Sequence, residues 1–171
     1  LPRLRRGVPQ PTAPLRGFLQ DLGYSAYPWK QGFNFGPRRG VLDAVRQQVE
    51  RVAERHGAKV SLIGWSLGGV YAREMAKEFP ALVRCVVTLG SPFAGHPRAT
   101  NAWRFYEMVS GQNVHDPKLI AQLRSTPPVP TTSIYSRSDG VVAWQCSLND
   151  DAPLAENIEV HASHIGMGMN P

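Results

Sequence analysis

Residues 60–69 read VSLIGWSLGG, a short apolar run ending in a serine set among glycines. An apolar run of this length, bounded by a turn signal, fits the buried strand predicted over Val60–Gly64. The following stretch repeats apolar residues at helical spacing until Pro80 stops it, which predicts a helix over Gly68–Phe79. Within that context Gly64, Ser66 and Gly68 fit G-x-S-x-G, where a serine sits on a strained strand-to-helix turn. The flanking glycines are expected to be needed because strand and helix approach too closely there for side chains. The turn would aim the Ser66 hydroxyl out above the C-terminal edge of a sheet. The N–H of Leu67, at the helix start, would face the same space and could donate to an oxyanion, helped by the helix dipole.

Elements of the same kind continue in both directions. Leu15, Phe18, Leu19 and Leu22 predict a helix over Pro14–Tyr24, and Ser25–Trp29 reads as a short strand. A glycine-rich loop, GFNFGPRRG, leads to Val41–His56, an amphipathic helix with Gly57 just past its end. Beyond the serine, Leu82–Leu89 is a Val-rich buried strand, Thr131–Tyr135 a further strand and Ile158–Val160 the last. Between them, residues 92–128 break the rhythm with helix-like pieces near Asn101–Val109 and Pro117–Leu123. Alternating strands and helices predict an α/β fold, a mostly parallel sheet with helices on both faces, and a small helical cap inserted over about 92–128.

A serine hydroxyl needs a base, and the base needs an orienting acid. In sheets of this kind the partners follow in the order Ser, Asp/Glu, His, each after a later strand. Asp139 follows TTSIYS in SRSDGVV, and His164 follows the last strand in HASHIGMGMNP. The rivals fit less well. His161 directly follows the strand, His56 lies in a helix C-terminal turn where it would be solvated, and His96 and His115 lie in the irregular segment. Asp150 and Asp151 form a plausible turn and a second choice of acid. His161 and His164 have no third ligand nearby, so neither a metal nor another cofactor is expected.

Charge and cysteines narrow the field. The net charge is +6, with seven Lys/Arg and one Asp in residues 1–40 and twelve of each sign in residues 41–171. The body of the protein is therefore neutral, unlike the basic stripe of a nucleic-acid binder, and no nucleic-acid partner is expected. No window is long and apolar enough for an integral membrane segment. The N-terminus lacks the apolar core of a signal peptide, which favours a cytoplasmic over a secreted location. Cys85 and Cys146 do not form a disulfide framework; Cys85, within VRCVVTL, reads as buried, and Cys146 as a surface thiol.

Taken together, VSLIGWSLGGVYAREMA, VVTLGSPF, IYSRSDGVVAW and SHIGMGMNP resemble a bacterial α/β-hydrolase of the lipase/esterase type, from about Thr12 onward. The resemblance implies Ser66 as nucleophile, His164 as general base and then acid, Asp139 as orienting carboxylate, and hydrolysis of small-molecule carboxylic esters through an acyl-enzyme. Ser91, in the G-S-P turn, would be structural. Residues 92–128 would form the cap, with Trp103, Phe105, Tyr106, Met108 and Leu119 able to line an acyl site or simply to pack. Members of the family carry a glycine loop ahead of the first helix that supplies the second oxyanion N–H, whereas this chain has LPRLRRGVPQ there. The expectation is a single domain over 1–171, shortened at both ends and lacking the N-terminal strands. It would self-associate through an exposed sheet edge or its N-terminal segment. The alternative is a catalytically weak or inactive remnant that serves as a binding or assembly module.

Overall fold

The computed structural model describes residues 12–29, 40–94 and 117–169. In chain order the elements are helix α1 (Ala13–Asp21), helix α2 (Val41–His56), strand β1 (Val60–Trp65), helix α3 (Leu67–Glu78), strand β2 (Val83–Leu89), helix α4 (Pro117–Arg124), strand β3 (Thr131–Tyr135), a 3-10 turn (Trp144–Ser147), strand β4 (Ala155–Glu159) and helix α5 (His164–Met169). The four strands lie in the order β1-β2-β3-β4, and every pair is parallel. Parallel neighbours cannot be joined by a hairpin, so each strand returns through a crossover, α3 serving β1 and β2. All C-terminal strand ends consequently open on one edge of the sheet, where ligand sites of α/β sheets form.

The core is what the apolar periodicity predicts. Ala72 and Ala76 of α3 pack on Val83 and Val86 of β2, with Val129 and Leu62 completing the layer. Val83, Val86 and Ala76 are wholly buried, and each valine side chain removed from water contributes about 1.5–3 kcal/mol. A second cluster joins Val70, Phe93, Ala94 and Leu123, with Leu67 against it, and docks the start of α3 on α4 and the loop after β2.

A buried cation crosslinks these pieces. Arg73 of α3 is fully buried and donates to Asn149 Oδ1 (2.5 Å) and to the carbonyls of Arg124 (3.2 Å) and Ser125 (3.1 Å). Its guanidinium lies 3.6 Å above the Phe93 ring. Those carbonyls end α4, where no intrahelical donor is left for them. Burial lowers the Arg73 pKa to about 10, against the opposing pull of Glu74 and Asp150, so it stays charged at neutral pH.

Several expectations are corrected. Ser25–Trp29 is not a strand: the segment is held by side chains, Trp29 against Tyr71 (5.5 Å between ring centroids) and Gln48 donating to the Pro28 carbonyl at 2.7 Å. The last strand spans 155–159 rather than 158–160, because AENIE lies on an edge and is exposed along nearly all of its length, which removes the apolar signal. The two thiols exchange roles: Cys146 is fully buried in the 3-10 turn, whereas Cys85 is half-buried, its Sγ 3.3 Å from Ser61 Oγ. His56 is exposed, as expected, and its Nε2 is hydrogen-bonded to Tyr27 Oη at 2.8 Å. The segment LPRLRRGVPQ and most of the expected cap, with His96, Trp103, Phe105, Tyr106, Met108 and His115, lie outside the described residues.

Candidate active site

The turn between β1 and α3 is built as its glycines require. Ser66 has φ +54° and ψ −129° and is the one non-glycine residue with positive φ among the described residues. Such a conformation costs about 1–3 kcal/mol and persists only where its surroundings enforce it. Here the Ser66 N–H donates to the Leu89 carbonyl (2.8 Å), and the Ser66 carbonyl accepts from Gly69 N–H (3.0 Å). A Cβ on Gly64 would lie 2.4 Å from the Gly68 oxygen and Gly69 Cα, and one on Gly69 would lie 2.0 Å from Ser91 Oγ. The close approach therefore rests on Gly64 and Gly69, not on Gly68, whose Cβ position opens on free space; this corrects the motif reading. Ser91 is wholly buried and bonds the Gly64 carbonyl at 3.3 Å, a structural role.

The loops after β3 and β4 bring Asp139 and His164 together. His164 Nδ1 and Asp139 Oδ2 are 2.8 Å apart, and both side chains are nearly inaccessible. An ionised carboxylate only accepts, so the proton of this bond belongs to Nδ1 and leaves Nε2 as the free nitrogen. The other oxygen, Oδ1, accepts from Val141 N–H (2.8 Å) and Val142 N–H (2.6 Å), which fixes the carboxylate plane. The His164 N–H also donates to the Asp139 carbonyl at 2.9 Å. Buried Ser136 fastens the two loops to each other: its Oγ accepts from Ala162 N–H (3.2 Å) and Ser138 N–H (3.1 Å).

Ser66 and His164 line one large cleft of about 1320 Å³ that continues between α1 and α2 along the edge of β1 that no other described strand pairs with. Its walls are mainly apolar, with Leu15, Leu19, Ile63 and Val87 among them, and among the described residues its Lys, Arg, Asp and Glu side chains are Arg16, Lys59 and Arg84, without an acid. The Ser66 hydroxyl makes no hydrogen bond among the described residues. Leu67 opens α3, where first-turn N–H groups have no intrahelical acceptor. The rival groups lie elsewhere. Asp150 is engaged by Arg124 on the surface (2.5–3.1 Å), and that hydrogen bond holds its carboxyl below the usual range. His161 and Asp151 are exposed. Among the described residues no three His, Cys, Asp or Glu side chains cluster as metal ligands would, and no helix is long and apolar enough to cross a membrane.

The motif reading missed Gly90 and Ser136. Gly90 has φ +51°, and a Cβ there would lie 2.8 Å from Asp139 Oδ2 and 3.2 Å from His164 Nδ1. Its signal was a glycine directly after the strand in VVTLGSPF. Ser136, a lone serine in a loop, carried none.

The model of the alpha/beta hydrolase family matches residues 5–165. The chain belongs to the alpha/beta hydrolase family. A search of curated protein sequences gives no match. Among solved structures this hydrolase-family chain is similar to the mature lipase BlEst2 of Bacillus licheniformis, at 16% identity and TM-score 0.54, over 75% of this chain and 67% of that one. It is also similar to lipase B of Aspergillus fumigatus (19%, TM-score 0.56, 74% and 34%) and to the esterase Pf2001 of Pyrococcus furiosus (18%, TM-score 0.55, 80% and 58%). At such identities the likeness is one of fold. The chain spans about two thirds of the first of these proteins, just over half of the third and one third of the second.

Proposed function

We propose that the protein is a serine carboxylic-ester hydrolase that works through an acyl-enzyme on Ser66. The observation that carries this reading is the buried Asp139–His164 pair, 2.8 Å apart, whose His164 lines the same cleft as a serine held at positive φ. Ser66 Oγ attacks the ester carbonyl carbon while His164 Nε2 takes the hydroxyl proton. The oxyanion forms beside the N–H of Leu67, where the helix dipole adds positive potential. Collapse expels the alcohol, which leaves with the proton from His164. Water then attacks the acyl-enzyme with His164 again as base, releasing the acid and restoring Ser66. Asp139 holds the imidazole in the tautomer that leaves Nε2 able to accept, and stabilises the imidazolium in between.

The apolar walls of the cleft suit the acyl part of an ester, and among the described residues no acidic side chain lines it to oppose the departing carboxylate. The test is release of p-nitrophenol from esters of increasing acyl length by wild-type protein and Ser66→Ala. Release above background by wild type alone is expected, with the length profile measuring the acyl site. Equal background release from both would overturn the enzyme reading in favour of a binding or assembly module.

A further inference from the structure

We infer that Trp65, a position G-x-S-x-G leaves open, is a positioning residue that ties the base to the nucleophile; this rests on the reading of Ser66 and His164 above. Trp65 ends β1, in register with Leu89, and is bonded directly to Ser66. Its indole Nε1–H donates to the His164 carbonyl at 2.9 Å across 99 residues of chain. The indole also lies against the imidazole, with centroids 5.6 Å apart and planes at 36°. One turn further along α5, a Cβ on Gly168 would sit 2.9 Å from Trp65 Cδ2, so the glycine lets the helix approach the ring. His164 and Gly168 share a helix face at i and i+4, and both present it to the same indole.

The physical need is clear from the length of α5. A helix of six residues does not hold itself in water and takes its place from tertiary contacts. Asp139 fixes the imidazole and the His164 N–H, but it belongs to the β3 loop, which has no covalent neighbour near Ser66. Trp65 supplies the missing reference, because one hydrogen bond and one peptide link relate the His164 backbone to Ser66. Drift of α5 would move Nε2 relative to Oγ, and misplacement of about 1 Å costs on the order of 10² in rate.

The test compares Trp65→Phe, which keeps a ring and removes the donor, with wild-type protein. Turnover of p-nitrophenyl butyrate should fall about fivefold in kcat, the loss of roughly one hydrogen bond, with KM unchanged. Gly168→Ala, which pushes on the indole without touching the imidazole, should reproduce the effect. The histidine imidazole resonances are followed in parallel by NMR in the absence of substrate. The His164 signals should shift or broaden in both variants, while those of His56 and His161 stay in place. A kcat within twofold of wild type, or an unmoved His164 resonance in folded Trp65→Phe, would overturn the inference. If wild type and Ser66→Ala both fail to hydrolyse any ester, the functional reading falls, and the resonances alone decide whether Trp65 holds His164.

Discussion

Replacing Gly90 by alanine tests how tightly the site is packed behind the Asp139–His164 pair. Gly90 sits at φ +51°, where an L-residue costs about 1–2 kcal/mol. The new methyl would lie 2.7 Å from Met167 Cε, 2.8 Å from Asp139 Oδ2 and 3.2 Å from His164 Nδ1. The methionine tip can swing away, but the carboxylate cannot, because Oδ1 is pinned by two backbone N–H groups. The Asp139–His164 hydrogen bond must therefore lengthen. Losing a hydrogen bond to a charged group costs about 1.5–3 kcal/mol, and if this is felt in the transition state kcat falls roughly 10- to 200-fold. Strain and crowding together would lower stability by about 2–4 kcal/mol, a fall in Tm of roughly 5–15 °C for a chain of this size. The assay is kcat on p-nitrophenyl butyrate below the melting transition, with a thermal melt of the same sample. Gly17→Ala, in α1 with nothing within 4 Å of its Cβ position, is the control and should be neutral or stabilising. A Gly90→Ala protein with kcat within threefold of wild type and an unchanged Tm would refute the placement of Gly90 against the pair.

Arg73→Ala should destabilise by about 3 kcal/mol or more in urea, since it strips donors from Asn149 and from the carbonyls of Arg124 and Ser125; Arg73→Met, which refills the volume, should cost less. Equal losses for the two would show that the polar bonds alone matter. Because Arg124 depresses the pKa of Asp150, that pair contributes stability above the ordinary aspartate pKa near 3.9 and loses it as pH falls through the lower folded value. The pair is half exposed, so Asp150→Asn should cost under about 1 kcal/mol at pH 7 and nothing well below pH 3, checked by urea melts at both. Native protein should give one fast thiol with Ellman's reagent, Cys85, whereas buried Cys146, whose pKa burial raises, reacts only on unfolding; mass mapping reads which is which. The β1 edge carries no charge in VSLIGW, unlike β4 with Glu156 and Glu159, so the mass by light scattering should rise with concentration and Ile63→Lys should suppress the rise. A concentration-independent monomer would remove that expectation.

Local order set how far the sequence could be read. Strand β1, α3 and the Ser66 turn are short-range objects, specified by an apolar run, two glycines and a helix stop, so the stretch from Val60 to Pro80 sufficed to recognise them. Asp139 and His164 were legible because each follows a strand in the required order, although only the tertiary structure brings residues 25 apart to 2.8 Å. The failures share a cause. Ser25–Trp29 has strand-like residues but no partner strand among the described residues, and β4 has a partner but no apolar pattern. Whether Cys85 or Cys146 is buried depends on what is laid over each.

The sequence by itself determined the fold class and singled out Ser66, Asp139 and His164 as the residues proposed here for nucleophile, acid and base, because periodicity and turn chemistry act between near neighbours. Only the tertiary structure decided which glycines are indispensable, and that Arg73 is an interior tie. It also showed that Trp65 reaches across 99 residues to the carbonyl of His164. Those outcomes depend on contacts between segments distant in the chain, and a side chain's own identity says nothing about what the fold will set against it.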